Sequence, residues 1–217
     1  MTDFVAARRH MVDGQLLPNR VTSHRVLDAM AEVPRERFVP AVLRGIAYMD
    51  EGLSLGGNRS VMAPMVLARL LQAADPGERE TVLEIGAATG YATAVLARLA
   101  GTVVALEEDE GLAAQAVRTL ADLSVDNATV VTGRLSEGYP KRAPYGVILV
   151  NGAVGEVPER VTAQLAEGGR LVTIVGAGAM SRATLMIKRA GVVSSRPLFD
   201  AWAAPLEQFA KEPGFVF

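Results

Sequence analysis

The chain has 217 residues, no cysteine, and 22 Lys plus Arg against 24 Asp plus Glu, a net charge of -2. That length suits one α/β domain, and the near balance of charge leaves no electrostatic footprint for a nucleic-acid backbone. Without cysteine there is no disulfide, no iron–sulfur ligation and no thiol nucleophile, and the two histidines, His10 and His24, are a poor basis for a zinc site. No apolar run reaches the ~20 residues that span a bilayer, and Asp3, Arg8 and Arg9 interrupt the stretch a signal peptide would need. A soluble, cytoplasmic protein that binds neither membrane nor nucleic acid is expected.

In chain order, the first amphipathic piece is Phe4–Met11, and a helix follows over 23–31, where Val26 and Met30 share a face. Pro34 and Pro40 bracket Pro34-Arg35-Glu36-Arg37-Phe38-Val39-Pro40, which cannot be helical throughout. A segment marked by Gly52, Gly56 and Gly57 leads to Pro64, which opens an apolar helix through Leu70 and Leu71. From Thr81 the pattern alternates strand and helix: strand 81–85, helix 91–99, strand 102–106, helix 112–123, strand 129–131 and strand 147–150. A helix then starts at Pro158 with Val161 and Leu165 inward, a strand covers 170–175, and runs 183–187 and 192–198 form an antiparallel hairpin. With no repeat and no low-complexity tract, residues 1–217 read as one domain, an α/β doubly wound sheet over 81–217 behind a helical addition over 1–80.

The informative stretch is Val82-Leu83-Glu84-Ile85-Gly86-Ala87-Ala88-Thr89-Gly90-Tyr91, a strand entering a small-residue turn that opens a helix. Such a turn lets a ligand approach the backbone. A dinucleotide fingerprint would need a small residue where Tyr91 stands, and Glu84 would set a negative charge near a pyrophosphate. An acid there suits a ligand carrying an ammonium and a sulfonium instead. Glu107 ends the next strand, where a carboxylate can accept both ribose hydroxyls, so the pair Glu84 and Glu107 points to S-adenosylmethionine.

Several blocks then resemble the protein-L-isoaspartate O-methyltransferase family over about residues 11–206. They are Val26-Leu27-Asp28-Ala29-Met30, the Pro34 to Pro40 heptapeptide, Ala47-Tyr48-Met49-Asp50, Val82-Leu83-Glu84-Ile85-Gly86 and Gln164-Leu165-Ala166-Glu167-Gly168-Gly169-Arg170-Leu171-Val172. The heptapeptide is the most specific of them. The resemblance implies a Rossmann-like S-adenosylmethionine methyltransferase fold and methylation of isoaspartyl carboxyls in peptides and aged proteins, which starts their repair. It assigns cofactor contacts to Glu84, Gly86, Ala88, Gly90, Glu107, Arg134 and Leu135, the catalytic position to Ser60 or Met62, and substrate contact to Arg59 and Val61.

The chain departs from the family pattern within these positions. Met62 stands where the family's loop before the Pro64 helix has a serine, and Ser60 lies on the same side as Met62 if the segment is extended. Ala88 replaces a glycine and is tolerated if its φ is negative. Arg134 and Leu135 stand in place of an acid and a glycine, and arginine cannot replace an acceptor. Gly146 replaces an Asp, and Asn151-Gly152 stands for Thr-Ala. These changes leave open two further readings: a catalytically degenerate member with a binding or regulatory role, and a methyltransferase with another acceptor, for which Arg59 would hold an anionic substrate.

Overall fold

The computed structural model describes residues 3–176 and 178–209. Helix α1 (Phe4–Met11) starts where Asp3 accepts from the amides of Val5 and Ala6, both at 3.0 Å. Helix α2 (His24–Glu32) buries Val26, Leu27, Ala29 and Met30. Between the two prolines the backbone makes only a 3-10 turn, Arg35–Phe38. The glycine-marked stretch forms a small antiparallel pair, β1 (Leu53–Gly56) and β2 (Arg59–Val61), an element absent from the sequence reading. Its tip turns through Gly56 and Gly57 at φ +99° and +55°. Helix α3 (Pro64–Ala74) opens on its proline, and Asp50 caps it from a distance by accepting from the Met65 amide at 2.9 Å.

The remainder is β3 (Thr81–Ile85), α4 (Tyr91–Leu99), β4 (Thr102–Glu107), α5 (Glu110–Asp122), β5 (Ala128–Thr132), β6 (Tyr145–Val154), α6 (Glu159–Thr162), β7 (Leu165–Val175), β8 (Arg182–Arg189) and β9 (Val192–Asp200). The sheet order is β5-β4-β3-β6-β7-β8-β9, parallel from β5 to β7 and antiparallel through β8 and β9. The last hairpin turns through Ala190 and Gly191, both at positive φ, the geometry that matches the strand twist. The helix expected from Pro158 to Leu165 is a single turn ending at Thr162. Leu165 is buried as the first residue of β7 opposite Tyr145, so its spacing from Val161 satisfies a strand as well as a helix.

The sheet places ligands by its topology. The chain runs outward from β3 to β4 and β5, then returns to the other side of β3 as β6, and such a reversal opens a crevice at the carboxyl ends of the strands. Strand alternation decides which side chains reach it. Val82, Val103, Val147 and Leu149 face the core shared with α2, α3 and α4, whereas Leu83, Ile85, Val104, Leu106, Ile148 and Val150 face a second core on the other side. Continuing the first set by twos brings Glu84, Glu107 and Asn151 to one face of three adjacent strands, at the level where β3 ends and its pairing with β6 stops. Among the described residues no helix is long and apolar enough to cross a membrane.

Candidate active site

The turn after β3 is held from several sides. The amides of Gly86 and Ala87 donate to the Leu106 carbonyl at 2.8 and 3.1 Å, tying the turn to β4. Gly86 and Gly90 adopt φ +87° and +91°, and Ala88 also lies in the left-handed region at φ +51°, so the negative φ under which an alanine is easily tolerated there is not the one it adopts. That conformation aims the Ala88 amide at Glu107, to which it donates at 2.6 Å. Gly90 answers a packing need: a Cβ there would meet the Ala116 Cβ at 3.1 Å, so the glycine lets α5 lie against the turn.

The heptapeptide braces the same turn from the other side. Arg35 is wholly buried, donates from Nε to the Ala47 carbonyl at 2.7 Å and stacks over the Tyr91 ring at 4.7 Å. Phe38 meets that ring edge-on with centroids 5.6 Å apart, and its carbonyl accepts from the Thr89 hydroxyl at 2.6 Å. Burial lowers the Arg35 pKa and raises that of Tyr91, and each of the two partly offsets the effect on the other.

Glu84 and Glu107 are both fully buried. Glu84 accepts from the Thr93 hydroxyl at 2.6 Å and from Asn151 Nδ2 at 2.8 Å. Burial pushes its pKa up to about 7; the Thr93 and Asn151 hydrogen bonds oppose that, Glu107 adds to it, and Arg59 opposes it. Glu107 accepts from the amides of Glu108 and Asp109 at 2.9 and 3.1 Å on one oxygen, and from Ala88 and an ion-paired Arg59 Nη2 on the other. An open cleft of about 770 Å³ lies on the Arg59 side of Glu107, walled by residues 55–59 of the hairpin, by Glu108 and Asp109 with Gly111 and Leu112 of α5, and by Pro205, Leu206 and Glu207. That volume lies in the range of small-molecule sites.

The segment around Leu206 lies along β6: the Ala153 amide donates to the Ala204 carbonyl at 2.9 Å, and the Leu206 amide to the Ala153 carbonyl at 2.8 Å. A Cβ on Gly152 would come within 2.6 Å of Leu206 Cγ, which explains the glycine. Asn58 and Gln208 close the rim by donating to Glu207 and Glu108 respectively.

The structure therefore brings Arg59 and Ala88 onto Glu107, with Gly86 beneath the Arg59 guanidinium and Glu84 near enough to feel the Glu107 charge. Val61 and Met62 are buried and line a small void beside Ala88 and Asn151. Ser60 is not among the residues lining that void: it pairs with Ser54 in the hairpin, and strand β2 ends at Val61, so the extended run assumed through Met62 stops short of it. The Arg134 side chain is exposed to solvent and Leu135 packs inside the second core, and neither is among the residues that wall the large cleft or the small void. Gly146 lies at the opposite end of the sheet, where a Cβ would meet Glu80 Oε1 at 2.6 Å; it makes room for the Glu80–Arg170 ion pair and is no part of the pocket. Sequence reasoning missed Thr93 and the direct bond from Asn151, which strand alternation could have supplied.

The crevice offers a test for a ligand bearing an ammonium and a ribose. Asn151 Oδ1 is buried and has no partner among the described residues, next to the Glu84 carboxylate that Asn151 Nδ2 engages. Two converging acceptors of this kind match an ammonium. Glu107 matches a ribose diol on the condition that Arg59 leaves it. The residues fit S-adenosylmethionine on those terms.

Comparison with known proteins agrees with this architecture. The family model described as protein-L-isoaspartate(D-aspartate) O-methyltransferase matches residues 7–207. The chain is 39% identical over 206 residues to a protein-L-isoaspartate O-methyltransferase of Koribacter versatilis, covering 95% of this chain and 93% of the relative. It is 44% identical over 173 residues to that of Methanoregula boonei, covering 80% of each. A solved protein-L-isoaspartate O-methyltransferase superposes with a TM-score of 0.82 at 27% identity, over 92% of this chain and 65% of that one. A Plasmodium falciparum structure, a putative enzyme of that name in complex with S-adenosyl-L-homocysteine, superposes at 0.81 with 18% identity over 93% and 98% of the two chains. The chain belongs to the protein-L-isoaspartate(D-aspartate) O-methyltransferase family.

Proposed function

We propose that the protein is a carboxyl O-methyltransferase that takes the methyl group of S-adenosylmethionine and places it on the α-carboxylate of L-isoaspartyl residues in damaged peptides and proteins. The observation that carries this reading is the alignment of Glu84, Glu107 and Asn151 on one face of three neighbouring strands at the level where β3 ends. Bound there, S-adenosylmethionine would supply an electrophilic methyl on a sulfonium. Glu84 and Asn151 Oδ1 would accept from its ammonium, and Glu107 from its ribose hydroxyls.

The acceptor asks for no general base, since a carboxylate with a pKa near 4 is ionised at neutral pH. What this chain contributes is placement and exclusion of water. Val61 and Met62 give the small void an apolar wall, and the Arg35–Tyr91–Phe38 stack fixes the turn against which the ligand lies. The first eighty residues and the sheet act as one domain in this reading, supported by a single apolar core running from Met11 and Met30 through Leu96 to Ile174.

A second reading, in which the scaffold binds without transferring, draws on Met62 where the family has a hydroxyl and on Arg59 covering Glu107. Incubation with methyl-labelled S-adenosylmethionine and an isoaspartyl peptide separates the two. Methyl transfer predicts base-labile label in the isoaspartyl peptide and none in its aspartyl counterpart. No label above a blank without enzyme, together with intact S-adenosylhomocysteine binding, selects the second.

A further inference from the structure

Glu107 has no acceptor capacity to spare. A carboxylate offers about four lone-pair positions, and here three are taken by the amides of Ala88, Glu108 and Asp109 and the fourth by Arg59. The Arg59 guanidinium also covers the bare backbone of the turn: its two terminal nitrogens lie 3.3 and 3.5 Å from where a Cβ of Gly86 would be. Its side chain is 13% exposed, and its Nε is buried without a partner among the described residues, so the closed arrangement leaves one donor unsatisfied. The arm thus walls the large cleft and covers both Glu107 and the Gly86 backbone, the surface a nucleoside held by Glu107 would need.

We propose that Arg59 is a gating residue that alternates between two carboxylates, Glu107 in the unloaded protein and the carboxylate of the methyl acceptor once the nucleoside is bound. This rests on the methyl-transfer reading above. Arrival of the ribose hydroxyls displaces the guanidinium from Glu107. The hairpin that carries Arg59 can give, because it is a two-stranded ribbon with glycines at its tip. The nearby acids already hold donors: Glu84 takes Thr93 and Asn151, Glu108 takes Gln208, Glu207 takes Asn58 and Asp109 takes the Leu112 amide, so the acceptor's own carboxylate is the anion that arrives without a partner, and Arg59 can orient it through a charge-assisted bond.

The order of binding follows: nucleoside first, acceptor second. On transfer the new C–O bond forms as the S–C bond breaks, with its electron pair remaining on sulfur. The acceptor anion becomes a neutral ester. Arg59 then loses its second partner and returns to Glu107, which favours release of the spent nucleoside.

The test is calorimetry of S-adenosylhomocysteine binding to the full chain, to Arg59→Gln and to Arg59→Lys without acceptor, with KM and kcat for an isoaspartyl peptide measured alongside. Arg59→Gln is expected to bind the nucleoside about tenfold more tightly while its peptide KM rises about tenfold and kcat changes less. Arg59→Lys, which keeps the charge but loses the fork, should fall between, and serves if the Gln variant does not fold. A purely structural residue would weaken both ligands together. Unchanged or weaker nucleoside binding by Arg59→Gln overturns the gate, and an unchanged peptide KM overturns the second partner. Absence of binding by wild type and variants alike at millimolar ligand brings down the methyl-transfer reading and this inference with it, a result distinct from equal binding by all three.

Discussion

Asn151 donates a 2.8 Å hydrogen bond from Nδ2 to the buried carboxylate of Glu84, joining β6 to the end of β3 just past their last paired residues. The bond matters because Glu84 is a costly group: burial holds its pKa near 7. Its raised folded-state value means that its stabilising contribution is present below the ordinary carboxylate range and is lost as pH rises from about 4.5 through 7. Glu84→Gln should therefore raise the melting midpoint of the ligand-free protein more at pH 8 than at pH 5. Binding responds in the opposite sense, since the ionised form is the one that holds an ammonium. Wild-type affinity for S-adenosylhomocysteine should fall as pH drops below about 7, approaching tenfold per unit, and Glu84→Gln should bind weakly with a flat profile. A flat profile in the wild type would remove Glu84 from the ligand's charged end.

Ala88 holds a backbone that glycine adopts more readily, at φ +51°. An L side chain in that region costs about 1 kcal/mol, partly offset by the greater freedom of glycine in the unfolded chain. Ala88→Gly should raise the melting midpoint by about 2 °C by differential scanning calorimetry. A lower midpoint would show that the buried methyl gains more from packing than the backbone loses.

Arg170 ties α3 to the sheet. It holds Glu80 with two bonds at 2.5 and 2.9 Å and donates to the carbonyls of Ala74 and Asp75 at 2.9 and 2.6 Å. Arg170→Ala should cost about 2 kcal/mol at neutral pH, discounting the pair for its partial exposure. The Arg170 hydrogen bond holds the Glu80 pKa below its ordinary 4.5. The pair's contribution is thus present above that value and lost as pH falls through the lowered one, so the gap between variant and wild type should narrow in acid. Urea unfolding at pH 7 and pH 3 measures both, and equal gaps at the two values would contradict the assignment.

How much of this was legible depends on which physics wrote each signal. The alternation of strand and helix from Thr81 carried the sheet, because buried parallel strands leave continuous apolar runs such as Val82-Leu83 and Val147-Ile148-Leu149-Val150. Glu84 and Glu107 were visible as acids ending two such runs. The β1–β2 hairpin was hidden because its strands are only four and three residues long, too short for an alternation such as Leu53-Ser54-Leu55 to stand out. The Arg59–Glu107 contact joins positions 48 residues apart, and no local pattern reports such a pair. Arg134 and Leu135 were assigned by likeness alone, and the structure sends one into solvent and the other into the core. Gly146 and Gly152 looked like losses from a pocket; the space they leave is taken by Glu80 and Leu206.

The most direct test is a crystal structure of the protein grown with S-adenosylhomocysteine. We expect its ammonium between Glu84 and Asn151 Oδ1, its ribose hydroxyls on Glu107, and Arg59 withdrawn from that carboxylate. A structure from saturating ligand in which Arg59 still covers Glu107 and the crevice between the two acids holds no nucleoside would contradict the account.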